Sequence, residues 1–262
     1  MWPLVAVLAL WPVVGLASGK PLAFPSITDK AFIEECVRIH NELRTQVQPP
    51  ASNMLYMTWD ATLAKIANAC AKRCVFKHNI HLWKKHQCHP TFTFLGENIW
   101  VGNRQAFVVA DAIKSWYNEV NFYNFSEHKC TKVCGHYLQV VWDNSHKIGC
   151  AVTDCKEVSG IRNAANFVCN YSPSGNFSRR PYKEGQACGN CSQGDTCENK
   201  LCRNPERDKI IYHLRWHPPW DIDYLCNGAC VCVIVLRLLL LFLTFVAIHF
   251  IQKCFKNMVM DT

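Results

Sequence analysis

The chain has 262 residues, half of them hydrophobic, with seventeen cysteines and a formal charge of +8. That length and apolar share permit a packed core and exclude wholesale disorder. So many thiols exclude an ordinary cytosolic protein, and scattered cations with no basic stripe interleaved with aromatics exclude nucleic acid as partner.

Residues 1–19 read as a cleaved signal peptide. Leu4 to Leu16 is an apolar run, and Ala17 and Gly19 supply the small residues that signal peptidase requires. Pro3 and Pro12 argue against a long buried helix there, although no Lys or Arg precedes the run. Ser26 to Asp29 offers capping groups for a first helix, with Phe32, Ile33, Cys36, Val37, Ile39, His40 and Leu43 at helical spacing. Pro49 and Pro50 close it. The pattern predicts a second helix from about Asp60 to Phe76, with Leu63, Ile66, Ala67, Cys70 and Cys74 on one face. Residues 77–95 read as a loop rich in His, Lys and Thr. A third helix, about Gln105 to Val120, is expected to bury Val108, Val109, Ala112, Ile113, Trp116 and Val120. The segments His146 to Thr153 and Asn166 to Tyr171 read as strands between turn residues. Helices first and paired strands later imply an α+β fold with an antiparallel sheet between helices.

After Pro181 the composition changes. Cys188, Cys191, Cys197 and Cys202 crowd residues 181–203, which offer almost nothing apolar to bury, so covalent staples are expected. A four-thiolate zinc knuckle competes with two disulfides, and an oxidising compartment favours the disulfides. Thirteen cysteines between Cys36 and Cys202 leave at least one thiol free or paired elsewhere, with Cys70 and Cys88 the candidates. Residues 204–228 form a polar and aromatic stalk whose Trp216 and Trp220 are placed at a membrane interface.

Residues 229–251 extend about 34 Å as a helix, enough to span a bilayer. Arg237 costs about 3 kcal/mol there, whereas sixteen Val, Ile, Leu and Phe residues contribute about 7 kcal/mol in favour. Lys253 and Lys256 follow the span while Asp221 and Asp223 precede it, so residues 252–262 are expected in the cytoplasm as a type I tail. Asn227, Gly228 and Ala229 keep a GPI anchor or a secreted form as alternatives, although the charged terminus argues against the GPI signal. Cys254 is a candidate palmitoylation site.

Three blocks resemble the CAP superfamily of cysteine-rich secretory proteins, insect venom antigens and plant pathogenesis-related proteins. They are Leu95-Gly96-Glu97-Asn98-Ile99-Trp100, then Gly135-His136-Tyr137-Leu138-Gln139-Val140-Val141-Trp142, then Phe167 to Phe177 with Cys169-Asn170-Tyr171 inside. The likeness extends over residues 30–203, departs from the usual pattern at Leu138 and Asn166, and is strongest to the glioma pathogenesis-related branch. It implies a CAP domain at residues 20–180, an α-β-α sandwich whose cleft holds His78, Glu97, Glu119 and His136. Two imidazoles there, His78 and His136, could hold zinc or another divalent cation, with the carboxylates orienting the rings. The bland reading of the same residues is a self-satisfied hydrogen-bond network that knits loops to the sheet.

A second group, His81, His86 and His89 beside Cys88, reads either as a metal-binding tract or as ordinary surface histidines. Of four N-x-S/T sequons, Asn124 and Asn176 are the expected glycan acceptors, Asn170 is expected to be masked in a strand, and Asn190 sits between hinge cysteines. No H-E-x-x-H or G-x-S-x-G motif occurs. The expected function is therefore non-enzymatic: a membrane-tethered extracellular module that recognises a protein or lipid ligand. A divalent-metal-dependent hydrolase and a sterol- or lipid-binding protein are the alternatives.

Overall fold

The computed structural model describes residues 23–85, 87–175, 177–221 and 228–254. The signal segment, His86, Asn176 and the tail beyond Cys254 lie outside the described residues. Helix α1, Lys30–Arg44, starts where the Asp29 carboxylate accepts the Phe32 amide at 3.1 Å. Phe32, Cys36, Ile39 and Leu43 form its buried stripe. Strand β1, Thr58–Trp59, leads into α2, Ala61–Ala71, which Asp60 caps through the amides of Thr62 and Leu63 at 2.7 and 2.9 Å. The helix stops short of Cys74, which has a φ of 53° and joins Cys155 in a disulfide.

Strand β2, Gly96–Asn103, precedes α3, Val109–Tyr117. Val108 caps α3 from outside and is 51% exposed, so the expected burial of this residue is incorrect. A 3-10 turn over Asn118–Phe122 carries Glu119 onward to the short ladder β3, Tyr123–Asn124, with β4, Lys129–Cys130. Helix α4, Gly135–Val140, is followed by the long hairpin β5, Lys147–Val158, and β6, Ile161–Ser172. The main sheet has the order β1-β5-β6-β2, antiparallel except for the parallel β1–β5 pair.

Alternation along the hairpin separates two cores. Ile148, Cys150, Val152, Phe167, Cys169 and Tyr171 pack with α1, α3 and α4, whereas Ala151 and Val168 meet Ala67, Cys70 and Ala71 of α2. The sheet thus lies between helices, as expected. Gly149 lets α2 seat directly on the sheet, because a Cβ there would collide with the Ala64 amide. A disulfide, Cys150–Cys169, crosses the hairpin, and Cys130–Cys134 ties β4 to the start of α4.

The hinge closes through Cys188–Cys197 and Cys191–Cys202, with β7, Thr196–Glu198, paired to β8, Leu201–Arg203. It docks on the domain through Cys202 N donating to Met54 O and Tyr56 N donating to Cys202 O. Cys36, Cys70 and Cys88 remain as buried thiols, so both suspected odd members are free, together with one that was not suspected.

Beyond α5, Pro205–Asp208, the chain doubles back over the domain. Lys65 Nζ donates to the carbonyls of His213, Leu214 and Trp216 at 3.2, 3.2 and 2.8 Å, and Lys147 Nζ donates to Lys209 O at 2.7 Å. Trp216 and Trp220 pack against Leu63, Ile66, Leu82, Cys88 and Leu95. Their indoles bury apolar area on the domain. Helix α6, Gly228–Cys254, is long and apolar enough to cross a membrane, and none of its apolar window is covered by the rest of the chain.

Candidate functional site

Strand β2 and helix α4 bring two His–Glu pairs to one cleft of about 770 Å³. Glu97 enters it from β2 with its side chain fully buried. Its Oε1 accepts from the Asn79 amide and lies 3.0 Å from His78 Nδ1, while Oε2 accepts from Asn170 Nδ2 at 3.3 Å. That carboxylate raises the pKa of His78 above the ordinary imidazole value, first through the hydrogen bond, with burial opposing it. On the other wall, Glu119 Oε1 lies 2.6 Å from His136 Nδ1, and Oε2 accepts the His136 and Tyr137 amides at 3.0 and 3.3 Å. The Trp116 indole lies nearly parallel to the His136 ring.

His78, Glu97 and His136 line the cleft, whereas Glu119 stands behind His136 and orients it. The four expected residues therefore form two closed pairs. Both rings are held through Nδ1, so each Nε2 is the nitrogen left for a ligand.

Several contributors went unrecognised in the sequence. Gln139 accepts the Gly175 amide at 3.0 Å and donates to Ser145, its amide lying where any side chain at Gly96 would clash. Asn98 Nδ2 donates to His136 O at 3.1 Å and to the Tyr171 hydroxyl at 3.3 Å. Tyr171 in turn meets His40 Nε2 at 2.9 Å, and His40 Nδ1 donates to Cys36 O at 2.7 Å. Burial lowers the His40 pKa to about 3, so that ring is neutral. Nearby, Arg44 is fully buried, yet five carbonyls, from Leu55, Val140, Trp142, Asp143 and Ser145, accept from its guanidinium. Leu82, Trp83, Phe94, Val133 and Phe177 give the cleft an apolar rim.

The donor set fits a divalent ion only in part. Two imidazole nitrogens are offered, and among the described residues the cleft brings no third His, Cys, Asp or Glu ligand atom into a group with them. The clustered sulfurs of Cys188, Cys191 and Cys202 belong to disulfides and cannot act as thiolates. In the histidine tract after His78, the two described rings are already engaged. His89 is buried, its Nδ1 accepting the Thr91 and Phe92 amides, and His81 stacks on Trp220 at 4.3 Å. The three buried thiols are poor nucleophiles: burial, then Glu97, pushes Cys88 up to about 12, and burial also raises Cys36 and Cys70. Among the sequons, Asn124 is exposed, while Asn170 is fully buried and donates to Gly96 O.

A helix-flanked sheet, stapled by disulfides and carrying this paired cleft, defines an extracellular-type CAP domain. The model of the CAP cysteine-rich secretory protein family matches residues 37–171, and the chain belongs to that family. It is 44% identical to glioma pathogenesis-related protein 1 of Mus musculus over 96% of both chains. It is 52% identical to GLIPR1-like protein 1 of Bos taurus over 78% of this chain and 84% of that protein. Among solved structures, the crystal structure of NaASP2 with Zn²⁺ is similar at a TM-score of 0.53 and 26% identity, covering 69% of this chain and 100% of that one.

Proposed function

We propose that the chain is a type I membrane protein whose extracellular domain, residues 20–203, recognises a protein or lipid ligand through the paired cleft without catalysing a reaction. One observation carries this reading: each cleft carboxylate already accepts three donors from its own chain. A general base needs a lone pair aimed at water or substrate, and here three of the roughly four acceptor sites on each carboxylate already hold an imidazole and neighbouring amides. The apolar rim over a polar floor is the usual make-up of a binding site. The apolar α6 supports anchoring, which raises the local concentration of the domain at a surface.

A second reading has its own support. Two Nε2 atoms backed by carboxylates are arranged as metal-ligating histidines commonly are, and a zinc-containing structure exists for a similar protein. In that case His78 and His136 would hold a divalent ion with water completing its shell, and the ion would supply Lewis acidity. The two readings separate on a panel of peptide and ester substrates, tested on the purified chain with zinc and with a chelator. The recognition reading expects no turnover above buffer in either condition. Zinc-dependent turnover that Glu97→Gln abolishes would establish the hydrolase.

A further inference from the structure

We infer that the loop carrying His78 docks on the outer surface of the bilayer that holds the chain, so that the cleft opens at the membrane interface. The inference rests on the anchored reading above.

Three observations converge. No Asp or Glu occurs between Asp60 and Glu97, and Lys77, Lys84 and Lys85 all project from this stretch into solvent. All three belong to the irregular loop that the sequence already marks over residues 77–95. Two carboxylates that face this loop, Glu97 and Asp60, are buried and engaged, Glu97 by His78 and Asn79 and Asp60 by His89 and the start of α2. Among them stand large apolar side chains that the domain leaves uncovered: Phe76 at 50%, Ile80 at 66% and Trp83 at 64% exposure. An aromatic and aliphatic patch flanked by lysines matches a headgroup layer over an acyl boundary, since the ammonium groups reach the lipid phosphates while the rings sit at the interface.

The tether supplies the third observation. The back of the same loop is held by the returning chain, through His81 on Trp220 and through Leu82 and Cys88 against Trp216 and Trp220. From Asp221, the chain reaches Gly228 at the start of the apolar helix in seven residues, a span of at most about 25 Å. The apolar helix thus starts within about 25 Å of the segment packed on this loop, so a bilayer holding that helix is within the loop's reach. Trp83 also lines the cleft, so docking would bring the cleft mouth to the headgroup level.

The test uses the full chain reconstituted in phosphatidylcholine vesicles with and without phosphatidylserine, some carrying brominated acyl chains. Flotation reports anchoring, and quenching of the fluorescence lost in Trp83→Ala reports docking. The expected result is flotation in both lipids, with Trp83 quenched in both and more strongly in the phosphatidylserine vesicles. The triple variant Lys77→Gln, Lys84→Gln, Lys85→Gln should float equally but weaken docking on the order of a hundredfold, about fivefold per lysine. A chain that floats while Trp83 stays unquenched overturns the docking alone. A chain that does not float overturns the anchored reading and the docking with it. Protection of Lys84 and Lys85 from acylation by soluble heparin, but not by vesicles, would assign the loop to an acidic glycan and overturn the inference.

Discussion

The two walls of the cleft use the same chemistry on different supports. His136 stands on α4, beside the Cys130–Cys134 disulfide, and its carbonyl is tied through Asn98 and Tyr171 to His40 in α1. His78 stands on an irregular loop, 61% exposed, held by Glu97 in front and by the returning chain behind. One wall is therefore part of the core, while the other is an arm clipped to it. The comparison teaches that a paired site need not be symmetric in stiffness: one imidazole is fixed by the fold, and the other can follow a ligand.

Acid should separate the walls most strongly. His40 has a depressed folded pKa, so the native state binds fewer protons than the unfolded chain between pH 6.5 and about 3. Its contribution is complete above pH 6.5 and falls as the pH drops, by about 5 kcal/mol in total. Denaturant midpoints measured across that range should decline steeply, and His40→Gln should flatten the decline. The His78–Glu97 pair has the opposite sign. Its folded pKa is raised, so its stabilisation is complete below pH 6.5 and is lost as the pH rises through the folded value. For an arm this exposed the effect is only about 0.5 kcal/mol.

Carboxylate removal comes next. Glu97→Ala leaves the Asn79 amide and Asn170 Nδ2 without this partner in a buried setting, and should cost about 3 kcal/mol in global stability. Glu119→Ala, at a site with more solvent, should cost about 1–2 kcal/mol. Equal losses would erase the distinction between the walls. Among these three substitutions Trp220→Ala has the smallest expected effect, about 1 kcal/mol, and a local one. Amide exchange should accelerate across residues 79–95 and stay unchanged in α4.

Much of this was readable in advance, and the failures have physical causes. The first two helices and the hairpin announced themselves by period and caps, as Asp29 and Asp60 illustrate. Strand β2 did not, because Glu97 and Asn98 are buried polar residues serving the cleft, which breaks the apolar alternation that marks a strand. Helix α4 has six residues, too few for a period to register. The four cleft residues were found only through motif likeness, since nothing local distinguishes His78 from a surface histidine. Gln139 and the rim were missed because their roles arise from tertiary approach. The packing of Trp216 and Trp220 on the domain was not foreseen, because the fold builds the apolar surface beside Leu82 and the sequence does not reveal it.

The central claim is that the cleft is a recognition site, and binding to cells tests it most directly. Labelled ectodomain, wild type and His136→Ala, would be titrated onto intact cells with folding of both verified by melting. The account predicts saturable binding by the wild type and its loss in the variant. Equal binding by both, or none by either, would contradict it.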